Sequence, residues 1–445
     1  MASRAPLKTW KGNVVINLGG GNEEEGSRQR QEAAAKFLKD SRHFSWLVKS
    51  CFPNPQHPHH PSPLSAAPTT AISSLPDDLL LECLSRVPHS TLPSLPAVCR
   101  RWAHLLNSPS FQLLRLRHHH VFHTLFSISI SDSALFTATL REQSWKVSSF
   151  VPSEESSGGL GSGSAFSLFS HFRLVSIGRK IYIIGRTAML RCDTWTGTLV
   201  PKAGMGILRK KFAAAAVGGK ILVAGGCARS SAVEEYDPDE NVWRVLSDAP
   251  RRRYGCIGAS VDGVFYVIGG LKIGPSGNEG SACPSRAAGA EAAHVYASSM
   301  DLYDVEARGW LRSRAVPGGG CVVAACAADG NVYILSSHAV ELSFWKFSAS
   351  RRSANFGEWC RIKSPLPAQV RLDSTVRFSC VGVGDKVVLV QVVGCIDDLL
   401  RRSGRTERGL KEGLVLVYDC AGGEWSRAAD MPEVIRRAAC VCVEC

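Results

Sequence analysis

FAAAAVGGKILVAGGCARSSAVEEYDPDENVW, residues 212–243, is the stretch that decides the fold. It runs small and apolar, breaks at Gly218-Gly219, runs apolar again to Gly225-Gly226, and ends on Tyr236 and Trp243, seven apart. Short apolar runs punctuated by turn residues read as strands joined by hairpins. The plan returns at 254–310 as YGCIGASVDGVFYVIGG, a long insertion, and MDLYDVEARGW, with Tyr303 and Trp310 at the same spacing. It returns again at 378–425, FSCVGVGDKVVLVQVV to LVYDCAGGEW, with Tyr418 and Trp425. Recurrence of one plan means one supersecondary unit per copy, which buries its apolar faces only by stacking on its neighbours.

Three weaker copies surround these. His171–Val200 keeps a single Gly185 and puts Cys192-Asp193 where Tyr-Asp stands elsewhere, and Cys321–Trp359 has Ser336-Ser337 in place of the double glycine. Val121–Phe150 offers three strands and lacks an opening one. The missing strand is expected from Ile435–Cys445, IRRAACVCVEC, which matches the opening strand RRRYGCIGAS at 251–260. Such pairing would tie a ring shut and remove its exposed edges. The units resemble the kelch motif, one four-stranded propeller blade per copy, and six blades are expected.

The opening strands FAAAAV, YGCIGAS, CVVAACAA, FSCVGVG and AACVCV are made of small residues. Six strands converging on one axis leave room for little else. Cys256, Cys321, Cys326, Cys380, Cys440 and Cys442 then read as small apolar packing groups. Cys440, Cys442 and Cys445 have a metal-like spacing, but strand alternation puts the first two on one face and the third on the other. Leu342–Phe347, with Phe344, Trp345 and Phe347, breaks the regular motif and reads as core, a client contact being the alternative.

Upstream, 73–115 has a different period: SSLPDDLLLECLSRVPHSTLPSLPAVCRRWAHLLNSPSFQLLR. Ser74 with Asp77 three residues on is a capping signal, Pro76 suits a first helical turn, and Asp77 and Asp78 sit where the helix dipole favours negative charge. Leu79, Leu80, Cys83, Leu84 and Val87 follow at helical spacing until Pro88. A second helical stretch carries Leu95, Val98, Cys99, Trp102, Leu105 and Leu106. A body of this size cannot bury so many large side chains alone, so part of its apolar surface is expected to belong to a partner. Leu75-Pro76, Leu79, Leu84, Val98-Cys99-Arg100-Arg101-Trp102 and Phe111 resemble an F-box, a segment that docks on a Skp-type adaptor of a cullin–RING ubiquitin ligase. The resemblance implies adaptor contacts from Leu75, Pro76, Leu79, Leu80, Cys83, Leu84, Leu95, Val98, Cys99 and Trp102. The plainer alternative is a helical hairpin packed on the next domain.

Composition bounds the rest. The chain has 445 residues, 45% of them hydrophobic, with 52 Lys and Arg against 39 Asp and Glu and sixteen Cys. That is ample for a core and excludes a wholly disordered chain. No apolar run approaches the roughly 18 residues of a membrane span, and Met1–Asn22 has no apolar h-region, so an intracellular chain with reduced thiols, in cytoplasm and/or nucleus, is expected. The net charge of +13 is spread along the chain, and no zinc-finger, helix-turn-helix or RNA-stacking signature is present, so no nucleic-acid partner is expected. No nucleotide loop, zinc motif or nucleophile elbow is present either. After residue 124 only His171, His294 and His338 remain, too few imidazoles for a copper-oxidase propeller. No cofactor or metal is expected.

Cations precede several opening strands: Arg209-Lys210-Lys211, Arg251-Arg252-Arg253, Arg377 and Arg436-Arg437. Equivalent positions on successive blades return to one rim, so Lys211, Arg252, Arg253, Arg377, Arg436 and Arg437 are candidates to grip an acidic segment of a client protein, Arg supplying a fork suited to carboxylates. Solubilising charge on loops is the competing reading. The insertions Lys272–Ala297 and Asp397–Glu412 and the loop Gly158–Gly163 are further candidate recognition segments or flexible links.

The expected architecture is multidomain: a mostly disordered arm over 1–71, a small all-α F-box over 72–117, and an all-β kelch propeller over 118–445. The pairing resembles a plant F-box/kelch-repeat family. That resemblance implies a non-catalytic substrate receptor that reaches cullin and RING subunits through its adaptor and presents a client for ubiquitination and degradation. A non-degradative interaction scaffold, and an oxidoreductase propeller, are the alternatives.

Overall fold

The computed structural model describes residues 72–131, 134–141, 144–150, 168–273, 296–338, 341–365, 376–393, 413–435 and 437–444. The arm expected over 1–71, the loop Gly158–Gly163, nearly all of the insertion 272–297, the insertion 397–412 and Arg436 lie outside them. The described residues divide into two compact units, a helical one ending at Phe122 and a β unit over His123–Glu444.

The helical unit consists of a 3-10 turn Ile72–Ser74, α1 (Asp77–Ser85), a second 3-10 turn Leu92–Ala97, α2 (Arg100–Leu106) and α3 (Pro109–Arg117). Pro76, not Ser74, occupies the N-cap of α1, with no side-chain cap. Arg101 ties this end of α1 to α2 instead, its guanidinium donating to the Leu75 carbonyl and, at 2.8 Å, to Asp77 Oδ1. Pro93 and Pro96 lack the N–H an α-helix needs, which keeps 92–97 in a 3-10 turn. Cys99 caps α2, its Sγ accepting from the Trp102 N–H at 3.4 Å, and Ser108 caps α3 through the Phe111 N–H. Leu80, Leu84, Leu92, Leu95, Trp102, Leu105, Leu106 and Phe111 are buried. Arg115 is buried among them, its guanidinium donating to the carbonyls of Ser85, Val87 and His120.

The β unit is a six-bladed propeller, each blade a four-stranded antiparallel sheet. Blade 1 runs, from the axis outward, Ala439–Glu444, His123–Ile130, Leu135–Arg141 and Ser144–Phe150. The strand nearest the C-terminus thus supplies the opening position of the first blade, pairing Val443 with Thr124 through Ala439 with Ile128. The other inner strands are Arg173–Ile177, Ala213–Val217, Ile257–Val261, Cys321–Ala328 and Arg377–Val383. Between first and second strands the chain turns on Gly218-Gly219, Asp262-Gly263 and Asp329-Gly330, both residues of each pair at positive φ. Such turns match the twist of the flanking strands, and only Gly, Asn and Asp enter them readily. The seven-residue Tyr–Trp spacing is a cross-strand pair of the outer hairpin: Tyr236 faces Trp243, Tyr303 faces Trp310 and Tyr418 faces Trp425, with ring centroids 5.2, 5.1 and 5.2 Å apart. Trp indoles also stitch blade to blade. Trp243 Nε1 donates to the Ala203 carbonyl, Trp425 Nε1 to Lys363, and Trp145 Nε1 to Ala429, each at 2.8 Å. The last of these joins blade 6 to blade 1. Leu342, Phe344 and Phe347 are buried in blade 5, Phe347 packing on Trp359 at 4.9 Å.

Crowding at the axis explains the small residues. A Cβ on Gly258 would lie 2.4 Å from the Ala214 carbonyl oxygen of the neighbouring inner strand, and one on Gly382 would lie 1.9 Å from that of Ala327. Neither glycine has positive φ, so close approach of two backbones, not conformation, selects it. Gly382→Ala is expected to cost about 1–3 kcal/mol by forcing adjacent inner strands apart. Gly422→Ala, where the nearest atom would be 3.6 Å away, should stay within about 0.5 kcal/mol. Chemical denaturation of the two variants checks this contrast. Among the inner-strand thiols, Cys326 and Cys380 from neighbouring blades lie 3.2 Å apart, and Cys440 meets Ser127 at 3.1 Å. The Cys380 contact and burial push Cys326 well above its ordinary range, and burial pushes up Cys256 and Cys440, which keeps them as neutral packing groups.

Candidate functional site

In the helical unit the expected partner residues separate into two sets. Leu80, Leu84, Leu95 and Trp102 are buried and hold the three helices together, so the structure removes them from a partner-facing list. Pro76, Leu79, Cys83 and Cys99 are exposed, and Leu75 and Val98 are half-buried. Pro76, Leu79 and Cys83 are spaced three and four apart, which puts them on one face of α1. Leu79 is 51% exposed, a large apolar side chain at the centre of that face. Glu82, beside it, is engaged by Arg86 at 2.5 Å and by His118 at 3.1 Å, which fixes the rim of the face. Leu113 and Leu116 on α3 are also exposed, a feature that periodicity had not singled out.

The central channel of the propeller encloses about 580 Å³ and is lined by the backbones and small side chains of all six inner strands. At the end where outer strands hand over to the next blade's inner strand stand the expected cations, and the structure sorts them sharply. Arg253 is fully buried: its Nε donates to Asp301 Oδ2 at 2.8 Å, and its two Nη atoms donate to the Gly269, Tyr296 and Ser299 carbonyls and to Ser299 Oγ. It cannot contact a client and is withdrawn from that role. Arg209 is its counterpart one blade earlier, pairing with Glu234 at 2.9 Å and donating to the Gly225 and Ala232 carbonyls. In each case the guanidinium clamps the end of the second strand to the start of the third. Arg251 also leans on Asp301, at 2.6 Å. Exposed or half-exposed cations remain in Lys210, Lys211, Arg252, Arg377 and Arg437. Lys211 lies over the Tyr254 ring at 5.6 Å, and Arg252 reaches the Ala228 carbonyl. Lys211 and Arg437 share a positive φ just ahead of their inner strands, and so does His171 in blade 2.

Sequence reasoning missed the buried clamps because each triplet looked like uniform surface charge. A signal was present: Arg209 and Arg253 each stand three residues before the inner strand's first packing residue, Phe212 or Cys256. In the same two copies an acid, Glu234 or Asp301, stands two residues before the blade's tyrosine.

A short helical unit with an apolar exposed α1 face, followed on the same chain by a six-bladed propeller of four-stranded blades, defines the class by its fold. Comparison with known proteins gives the class its family. The F-box domain model matches residues 72–114, and the Kelch motif model matches 208–250. An F-box/kelch-repeat protein of Arabidopsis thaliana is 61% identical over 421 residues, covering 91% of this chain and 98% of that one. A second from the same plant is 34% identical over 200 residues, 41% of this chain and 49% of its own. A solved structure titled "Structure of YjhT" aligns with TM-score 0.43 and 16% identity, covering 59% of this chain and 84% of its own. The chain belongs to the F-box/kelch-repeat protein family. F-box domains in general bind Skp-type adaptors and kelch propellers bind client proteins, the pairing of an SCF-type substrate receptor.

Proposed function

We propose that this chain is the substrate-recognition subunit of an SCF-type cullin–RING ubiquitin ligase, acting without catalytic groups of its own in cytoplasm or nucleus. The observation that carries the reading is the exposed Pro76–Leu79–Cys83 face of α1, on an F-box whose Leu80, Leu84, Leu95 and Trp102 are already buried against one another's helices. The adaptor docks there, with Leu75, Val98 and Cys99 at the margin, and links the chain to the cullin and RING subunits. A client protein is held on the cationic end of the propeller, by an acidic segment meeting Lys211, Arg252, Arg377 and Arg437. Ubiquitin transfer is then accelerated by proximity, because holding two reactants together replaces a bimolecular encounter.

The experiment follows the client. Proteins co-purifying with the tagged chain should accumulate several-fold when the proteasome is inhibited, and equally when Leu79→Glu uncouples the adaptor. Clients whose abundance responds to neither would leave a non-degradative scaffold as the correct reading.

A further inference from the structure

The junction of blades 5 and 6 is built around two thiols. Cys326 lies on the inner strand Cys321–Ala328 and Cys380 on the inner strand Arg377–Val383. Strand alternation turns each toward the other blade: they share one core cluster with Tyr333 and Phe344 of blade 5 and Leu389 and Tyr418 of blade 6. The Cys380 thiol donates to Cys326 Sγ across the junction at 3.2 Å. Both residues line the central channel, Cys380 half-buried and Cys326 6% exposed. Two other inner-strand thiols are placed differently. Cys440 meets the Ser127 hydroxyl at 3.1 Å, and Cys256 is fully buried with its thiol toward the Ala224 carbonyl at 3.7 Å.

Packing alone does not ask for sulfur here. Cys326 stands two residues before Ala328, which closes the first turn of blade 5, and Cys380 three before Val383, which closes that of blade 6. At the junction of blades 4 and 5 the same two positions hold Ala259 and Ala325. Alanine therefore satisfies the crowding at the axis, and a facing pair of cysteines adds chemistry that alanine lacks. Nor are the two strands free to drift apart. Beside the pair, a Cβ on Gly382 would lie 1.9 Å from the Ala327 carbonyl oxygen, so the backbones already touch. A disulfide needs its sulfurs at about 2.0 Å and its Cβ atoms at about 3.5–4.5 Å. From 3.2 Å, small side-chain rotations close that distance between strands held at fixed spacing.

We propose that Cys326 and Cys380 form a redox modification site, a dithiol that a peroxide converts to a disulfide joining blades 5 and 6. The peroxide enters from the channel and its O–O bond breaks on the Cys380 sulfur, giving a sulfenic acid and one molecule of alcohol or water. The Cys326 sulfur then attacks the Cys380 sulfur, and the sulfenic oxygen leaves as water, taking up the Cys326 proton. The two thiols lose two electrons and two protons, and the peroxide is reduced by the same two electrons. Cys326 suits the second role: the Cys380 contact and burial hold its thiol well above the ordinary range, which leaves the first oxidation to the more exposed Cys380. At rest the pair packs as neutral thiols, and a sustained peroxide load converts it. The disulfide closes a loop that holds the second to fourth strands of blade 5, and it stabilises the ring by restricting the unfolded chain.

The test uses the purified full chain, reduced and then exposed to hydrogen peroxide at a temperature where it stays folded. Remaining thiols are alkylated under denaturing conditions, and the digested chain is read by mass spectrometry. Peptides linked through Cys326 and Cys380 should be the main intramolecular cross-link, and dithiothreitol should release them. The oxidised chain should melt at least about 3 °C above the reduced one. Cys380→Ala and Cys326→Ala, which copy the residues found at the junction of blades 4 and 5, should each fold and each lose that rise. Cys440→Ala should keep both the cross-link and the rise. Cys326 and Cys380 both still open to alkylation after peroxide, or Cys380 carried to sulfinic acid without a link, would overturn the proposal. So would a linked chain that melts no higher than the reduced one.

Discussion

Truncation before Ala439 is expected to abolish cooperative folding of the propeller. The strand Ala439–Glu444 is the innermost member of blade 1, paired over six positions with His123–Ile128. Val441 and Val443 on it are buried, and Ile435 and Ala438 just before it belong to the same core as Leu125, Val390 and Val415. Each buried valine contributes roughly 1.5–3 kcal/mol on transfer from water. The strand's lost hydrogen bonds add about 1 kcal/mol each. Their sum rivals a whole domain's stability of about 5–15 kcal/mol. The ring would also be left with Thr124–Ile130 as a bare edge beside the axis, an invitation to pair with another chain. The truncated chain should lose its thermal transition and elute as aggregate in size-exclusion chromatography. A monomeric product with a melting temperature close to the parent's would show that the other five blades hold the ring without it.

The second large effect concerns the buried guanidinium clamps. Arg253→Met should destabilise the propeller by about 3–5 kcal/mol, because it removes the partner of a buried carboxylate and leaves carbonyls without donors. Asp301 is 1% exposed. It retains Arg251 Nη1 and Ser313 Oγ, each at 2.6 Å, which holds the loss toward the lower part of that range. The double variant Arg253→Met/Asp301→Leu should be less destabilised than the sum of its singles, since replacing both charges removes the desolvation penalty with the pair. Equilibrium unfolding in guanidinium chloride reads all three variants. A cost under about 1 kcal/mol for Arg253→Met would mean that the clamp is dispensable and that the residue recurs in two of the three strong copies for another reason.

How much of this was legible in the sequence depends on which side chains carry it. The Tyr–Trp spacing and the paired turn glycines report local hairpin geometry, and both translate directly into cross-strand pairs and positive-φ turns. The match of 435–445 to an opening strand was legible because an inner strand has a composition of its own, imposed by the close backbone approach seen at Gly258 and Gly382. What the sequence hid was the direction of individual side chains in the connecting loops. Arg209 and Lys211 are two residues apart, yet one is buried against Glu234 and the other lies over Tyr254. The turn separating them is set by a positive φ at Lys211 that no propensity predicts. In the helical unit, periodicity marked Leu79, Leu80, Cys83 and Leu84 alike as apolar. Only packing against α2 and α3 shows that Leu80 and Leu84 are core while Leu79 and Cys83 face outward.

The receptor reading depends most directly on one surface, the α1 face around Leu79. Leu79 is exposed, so Leu79→Glu should leave the melting temperature unchanged, whereas Trp102→Ala would cost about 3–5 kcal/mol by emptying a core position and cannot serve as a clean control. The decisive measurement is affinity of the purified full chain for a purified Skp-type adaptor. The parent should bind tightly, and Leu79→Glu should weaken binding by at least about a hundredfold, the effect of placing a charge at the centre of an apolar interface. Absence of binding by the parent, or equal binding by parent and Leu79→Glu, would contradict the assignment of this chain as an SCF-type receptor.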